Sequence, residues 1–172
     1  QFAFYVQDEW NVNEKFKLTY GVRFDKPLFF DSAEKAQDVI DRGFVIADQP
    51  YQNPNTGETV FIDNTQMPTN DWLISPRVGF NYDVSGDRSL QIRGGSGLFT
   101  GRFPFVWLGN QIAAPDVFFL QAVDPEYKFP QVWRTNLGAD KRLENGLVLT
   151  GDLSYTKDIN GPHVQNWALT SP

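Results

Sequence analysis

At 172 residues with no cysteine, the chain is long enough to build a sizeable core without covalent staples, and a disulfide framework or a thiolate site is excluded. A formal net charge of −6, a pI of about 4.7 and the lack of any basic patch argue against nucleic acid as a partner. Aromatic residues reach 15% while mean hydropathy is −0.40, so apolar and polar residues are finely interleaved, and no run approaches the ~18 apolar residues of a membrane-spanning helix.

The first expected strand, 2–10, sets Phe2, Phe4 and Val6 against Ala3, Tyr5, Gln7 and Glu9. Residues 11–15 form a short polar turn. The run 16–25, FKLTYGVRFD, is the clearest element: Phe16, Leu18, Tyr20, Val22 and Phe24 share one face, and Lys17, Thr19, Gly21, Arg23 and Asp25 the other. About ten residues of strict alternation is the length a tilted strand needs to cross a bilayer, so the apolar face is expected to meet lipid. Residues 26–71 then read as one long connection rich in Pro, Asn, Asp, Gln and Thr, with a short helix at 34–40.

A third strand, 75–84, alternates Pro76, Val78, Phe80 and Tyr82 against Arg77, Gly79, Asn81 and Asp83, and the 85–88 turn leads into a fourth, 90–100. There Leu90, Ile92 and Leu98 oppose Gln91 and Arg93, and Gly94, Gly95 and Gly97, with Gly101 just beyond, weaken and bend the strand. A second long connection, 101–130, carries Phe103, Phe105, Trp107, Phe118, Phe119 and Tyr127. A fifth strand at 131–142, an Asn145-Gly146 hairpin turn and a sixth strand at 147–156 complete the series. Every second link is therefore tight, and in an up-and-down sheet all tight turns fall at one end and all long connections at the other. Outer-membrane barrels have that asymmetry. The fold class expected is all-β: antiparallel up-and-down strands of a transmembrane β-barrel, about six of them in this chain.

Motifs for catalysis or cofactors are weak. Gly94-Gly95-Ser96-Gly97 lacks the Lys-Ser/Thr pair and following helix of a phosphate loop. His163 is the single histidine, so a His-based triad or multi-histidine metal site has no partners here. Asp31, Glu34, Asp38, Asp41, Asp48, Glu58, Asp63 and Asp71 crowd the first long connection, without the spacing of a calcium loop and with nothing to single out a glycosidase pair. They read as a solvated acidic segment. No cofactor, no metal and no enzyme activity are expected. The six connection aromatics Phe103, Phe105, Trp107, Phe118, Phe119 and Tyr127 are candidates for ligand or partner contact. Arg23, Asp25, Arg77, Asp83, Arg93, Arg134 and Asp152, with Asp140, are candidates for a polar lumen or for contact with a plug, the alternative being a ladder of cross-strand ion pairs. Phe16, Leu18, Tyr20, Val22, Phe24, Val78 and Phe80 are the expected lipid-facing set, and Trp10, Phe16, Tyr82 and Tyr155 suit an interfacial girdle.

Tyr5-Val6-Gln7-Asp8-Glu9-Trp10 followed by Leu18-Thr19-Tyr20-Gly21-Val22-Arg23-Phe24-Asp25 resembles a hairpin of TonB-dependent outer-membrane receptor barrels. The stretches SPRVGFNYD (75–83) and LQIRGGSGLFTGR (90–102) are similar to the next hairpin, and Pro104-Phe105-Val106-Trp107-Leu108 is similar to the Oar-like branch of Bacteroidota. The resemblance implies a barrel of about 22 strands closed by a plug, with import of an extracellular ligand powered by the TonB complex through that plug. It implies as partners the rest of the barrel and the plug, outer-membrane lipid and, as an open alternative, a surface lipoprotein, with the long connections extracellular. The chain opens at Gln1 within a strand and carries no plug or TonB box, so it is expected to be a piece of a longer protein. A passive porin-like barrel and a soluble aromatic-rich β-sandwich binding carbohydrate are the alternatives.

Overall fold

Strands dominate the computed structural model, which describes residues 1–43, 45–53, 56–102, 104–113 and 121–165. Six of them, β1 (Phe2–Asn11), β2 (Phe16–Lys26), β5 (Leu73–Asp83), β6 (Leu90–Thr100), β7 (Gln131–Arg142) and β8 (Val148–Asn160), form one antiparallel sheet in the order β1-β2-β5-β6-β7-β8. Neighbours in space are neighbours in sequence once the short elements between β2 and β5 are set aside, which is the expected up-and-down order. β1 and β8 are the edges of this sheet.

The strands differ from expectation mainly at their ends. β5 begins two residues early because Leu73 and Ile74 continue the ladder opposite Asp25 and Phe24. β8 runs past the expected end at 156 to Asn160 because Lys157 and Asp158 still pair with Trp133 and Val132. A register irregularity between Gln131 and Val132 lets β8 continue past that point.

Each tight turn is closed by an Asn or Asp side chain accepting backbone N–H donors. Asn13 accepts from Lys15 and Phe16, both at 2.9 Å. Asp83 accepts from Gly86 at 2.9 Å and from Arg88, where Gly86 (φ 83°) and Arg88 (φ 63°) take the left-handed conformation. Asn145 accepts from Leu147 at 3.1 Å, and Gly146 (φ 86°) donates to the Leu143 carbonyl at 3.0 Å. In the turn after β5 the Ser89 hydroxyl and N–H, both donating to Asp87, hold that carboxyl below its ordinary 3.8.

The chain divides into two units. The first comprises the sheet, Gln1–Lys26, Trp72–Gly101 and Phe129–Gly161. The second comprises Pro27–Asp71, Arg102–Lys128 and Pro162–Pro172. Within the second unit the long connections are more structured than their composition suggests. They hold α1 (Ser32–Asp41), a small hairpin of β3 (Pro50–Gln52) with β4 (Thr59–Phe61), and α2 (Phe105–Ala113). The short helix expected at 34–40 is α1, extended at both ends. α1 packs on α2, and Ala36, Val39, Leu108 and Val123 are buried.

At the centre of this unit lies Gln111, fully buried, whose amide donates to the Asn64 and Gln66 carbonyls at 3.0 and 2.8 Å and accepts from the Val123 N–H at 2.7 Å. One side chain thus joins the first long connection to the second. Nearby, the Thr65 hydroxyl, with its N–H and the Gln66 amide, all donating to Asp63, keeps that carboxyl below 3.8.

Candidate functional site

Cross-strand partners in an antiparallel pair point to the same side, so the register fixes which residues share a face. Phe4, Phe24 and Ile74 lie in one row, Val6, Val22 and Pro76 in the next, and then Asp8, Tyr20 and Val78. Trp10, Leu18 and Phe80 follow. The same face continues through Ile92 and Ala139, then Gly94, Leu137 and Leu153, to Ser96, Thr135 and Tyr155. All seven residues Phe16, Leu18, Tyr20, Val22, Phe24, Val78 and Phe80 share this face.

Burial on the sheet is inverted relative to a water-soluble fold. Along β5 the apolar-face residues Ile74, Pro76, Val78 and Tyr82 are exposed, while Leu73 and Ser75 on the opposite face are buried and Arg77, Gly79 and Asp83 are partly so. Val6, Leu137 and Leu153 stand 64%, 50% and 71% exposed on the apolar face, whereas Asp25 on the polar face is 1% exposed. Polar side chains on the apolar face pair with one another. The Tyr20 hydroxyl donates to Asp8 at 3.0 Å, Ser96 and Thr135 share a hydrogen bond of 2.8 Å, and the Trp133 indole donates to Thr135 at 3.1 Å.

Aromatic rings mark both ends of that face. Near the long connections Phe4 stacks on Phe24 at 4.9 Å and meets Trp72 edge-on at 5.8 Å, with the Lys26 ammonium 5.5 Å above the Trp72 ring. Near the tight turns Phe16 contacts Phe80 at 6.1 Å and Tyr82 at 6.0 Å. Phe24 and Phe16 are about 26 Å apart along β2. At a tilt of about 40° that separation projects to about 20 Å, close to the apolar band of a barrel.

The polar face carries Arg23, Asp25, Arg77, Asp83, Arg93, Arg134 and Asp152, and the structure sorts them into different roles. Arg93 forms a clamp over three strands: its Nε donates to Asp140 at 2.9 Å and its terminal nitrogens reach Asp152 at 2.9 and 3.1 Å, while Thr150 donates to Asp140 at 2.8 Å. Gly138 lies between Arg93 and Asp152 in the ladder, and a Cβ there would collide with Asp152 Oδ1 and the Arg93 guanidinium. Arg23 instead pairs with Asp25 along its own strand at 2.9 and 3.0 Å, and Gln1 adds a 2.9 Å bond to the same carboxylate. Asp83 is turned into its tight turn. The ladder of cross-strand ion pairs weighed from the sequence is thus realised at Arg93 and at Lys17–Glu9.

Arg77 and Arg134 stand apart. Both flank Gly97 in the same row. The Arg77 guanidinium lies 5.6 Å over the Tyr5 ring, and its Nε is buried with no hydrogen-bond acceptor among the described residues.

Where the long connections leave the sheet, a hydrogen-bonded chain crosses four strands. Asn160 donates to Gln131 at 3.1 Å, Gln131 to Thr100 at 3.1 Å, and Thr100 shares a 2.8 Å bond with Ser75. This chain, the Tyr5 platform and Gln111 escaped the sequence reading. A signal for the clamp was present, since Asp140 and Thr150 are symmetric about Asn145-Gly146.

Of the candidate ligand-contact aromatics, Phe103, Phe118 and Phe119 lie outside the described residues. Phe105 and Trp107 are on α2, the former exposed and the latter half-buried. Tyr127 is half-buried beyond a turn closed onto Asp124, and burial raises its phenol above 10.0. No group of His, Asp or Glu among the described residues converges to hold a metal ion, and no described helix is long and apolar enough to cross a membrane. Residues 1–115, from β1 through α2, match the family model of the outer membrane beta barrel domain. No curated protein and no solved structure matches the chain.

Proposed function

This chain belongs to the outer membrane beta barrel domain family, and we propose that its six-stranded sheet is wall of an outer-membrane transport barrel whose apolar face meets lipid and whose polar face lines the lumen. The observation that carries this reading is the inverted sheet. Val6, Val78, Leu137 and Leu153 are left open on the apolar face, and such exposure is stable only where the surrounding medium is itself apolar.

The finer reading is a TonB-dependent receptor wall that captures an extracellular ligand with its long connections and imports it with energy from the TonB complex through a plug. It rests on the likeness of the first two hairpins to that family, and the folded second unit suits ligand capture. In this reading the long connections are extracellular and the chain is not an enzyme. A passive porin-like barrel is the second reading, favoured by a polar face rich in charged residues. In either case backbone groups at the edges β1 and β8 must pair with further strands, since unpaired N–H and C=O groups are not tolerated in hydrocarbon.

Spin labels at Val22 and Phe80 in the full-length protein in lipid vesicles test the coarse reading. Both labels should relax with oxygen and be shielded from water-soluble nickel complexes; quenching by the nickel complex at both sites refutes it. Uptake after collapse of the proton gradient separates the two mechanisms. It stops for a TonB-driven receptor and continues for a porin.

A further inference from the structure

We infer that Lys26 and Lys157 bind lipid phosphate groups along the rim of the apolar face nearest the long connections, so that this rim selects anionic, phosphate-bearing lipid. Among the described strand residues the apolar face carries three cations, Lys26, Lys141 and Lys157, and one acid, Asp8. Asp8 lies toward the middle of its strand and accepts from Tyr20 at 3.0 Å. Lys141, between Leu90 and Leu149 in the ladder, belongs to the opposite rim, where it helps to hold the charge of Asp87. Lys26 and Lys157 have no carboxylate at ion-pair distance among the described residues. An ammonium at the edge of hydrocarbon is stable where its stem lies along apolar surface and its charge reaches the headgroup layer, and the anion in that layer is lipid phosphate.

The two lysines stand at one height above the tight turns. Lys26 is nine residues along β2 from Lys17, which belongs to the last pair before the first tight turn, and Lys157 is nine residues along β8 from Val148, which belongs to the last pair before the third. That length is about 30 Å of strand, or about 23 Å of height at a tilt of about 40°. Both ammonium groups therefore fall at the far edge of an apolar band about 25 Å tall. A tryptophan accompanies each, and indole rings settle at headgroup level. The Lys26 Nζ lies 5.5 Å over the Trp72 ring, which Phe2 and Phe4 meet edge-on at 6.3 and 5.8 Å, and Lys157 is the ladder partner of Trp133. A ring face beneath an ammonium holds it in place without neutralising it and leaves N–H donors for a phosphate oxygen.

The inference rests on the apolar face meeting lipid, so the test must separate its failure from failure of the barrel reading. Full-length protein in phosphatidylcholine vesicles carries a bimane fluorophore at Ile74→Cys, one row from Lys26 on that face, or at Tyr155→Cys, one row from Lys157. Phosphatidic acid with brominated chains is compared, at equal mole fraction, with brominated phosphatidylcholine. Bromine quenches a fluorophore that touches the chains, so quenching by either lipid reports the lipid face. Phosphatidic acid should associate about fivefold more strongly than phosphatidylcholine at both positions. Lys26→Gln should remove that preference at position 74 and keep it at 155, Lys157→Gln should do the reverse, and Lys141→Gln should change neither. Equal quenching by the two lipids, or a preference that survives Lys26→Gln and Lys157→Gln, overturns the phosphate site and leaves the barrel reading standing, whereas no quenching by either lipid overturns both. Excess inorganic phosphate should not restore emission; restoration would assign the lysines to a free anion and overturn the proposal. Should a variant not fold, the comparison of the two lipids on protein with both lysines intact is decisive by itself.

Discussion

Replacing Val78 by arginine distinguishes a face that meets lipid from one that meets water. Val78 is at the middle of β5, 47% exposed, between Tyr20 and Ser96 in the ladder. Tyr82 lies on the same face four residues toward the tight turn, about 13 Å along the strand. In a bilayer the cost of an arginine depends on depth: about 2–4 kcal/mol near the midplane, falling to about 0–1 near the interface. Val78→Arg should therefore shift the folding equilibrium roughly 30- to 700-fold, and Tyr82→Arg less than about tenfold. If the face met water, an arginine at an exposed valine would stay within about 0.5 kcal/mol of wild type. Thr19→Arg, on the polar face opposite Glu9, controls for added charge and bulk and should be near neutral. The assay is urea-dependent folding of the full-length polypeptide into phosphatidylcholine vesicles, followed by tryptophan emission. A cost below about 0.5 kcal/mol for Val78→Arg, or equal costs at Val78 and Tyr82, would refute the reasoning.

Gly138→Ala should open the Arg93 clamp, since the new methyl meets both Asp152 and the guanidinium; because the pairs are solvent-exposed, only a small downward shift of the unfolding midpoint is expected in the same urea assay, and Asp152→Asn should shift it little further once Gly138 is changed. Gln111→Leu leaves the Asn64 and Gln66 carbonyls and the Val123 N–H without their partner. A loss of about 2–3 kcal/mol confined to the second unit is expected, visible as faster amide exchange in 61–66 and 121–125 with β5 and β6 unchanged. Acid should loosen the Asp63 turn: its folded pKa lies below the ordinary 3.8, so its contribution is full above that value and fades as pH falls through the lower folded one. Exchange at Thr65 should speed up below about pH 3.8 in wild type and show no such step in Asp63→Asn.

Strand existence, strand order and the two faces were legible because period-two alternation survives whatever the sheet packs against, and a hairpin turn fixes register for every row beyond it. Asn145-Gly146 alone dictates that Leu137 and Leu153 share a face with Ala139 and Gly151. What the pattern did not specify is how charges on one face divide. Arg23 and Arg93 occupy equivalent alternation sites, yet one pairs along its strand and the other across two strands, because only Arg93 has a glycine beside it to lie over. The long connections were illegible for a different reason. Gln111 and Asn64 are polar residues whose burial is made tolerable by their hydrogen bonds, and composition assigns such residues to solvent. Likewise Phe105 and Trp107 read as loop aromatics because the helix carrying them is only nine residues long, too short to build a periodic signal.

The sheet and the second unit are held by different forces, and their dependence on solvent should differ accordingly. The second unit buries Val39, Leu108 and Val123 together with satisfied amides, which stabilises it in water in the usual way. On the sheet the large side chains of the apolar face remain open, so water gains nothing from folding there, and the backbone ladder with its same-face pairs contributes little while water competes for every hydrogen bond. In hydrocarbon that competition disappears. Each ladder bond is then stronger, unpaired backbone becomes prohibitive, and the apolar face is solvated without any partner. The feature that looks like a packing defect in water is therefore the source of stability in the membrane, and the order of unfolding should invert with the medium: when detergent is diluted below its micelle concentration, amide protection should be lost in β5 and β6 before it is lost around Gln111. Simultaneous loss in both units would show that the sheet is held by an aqueous core after all.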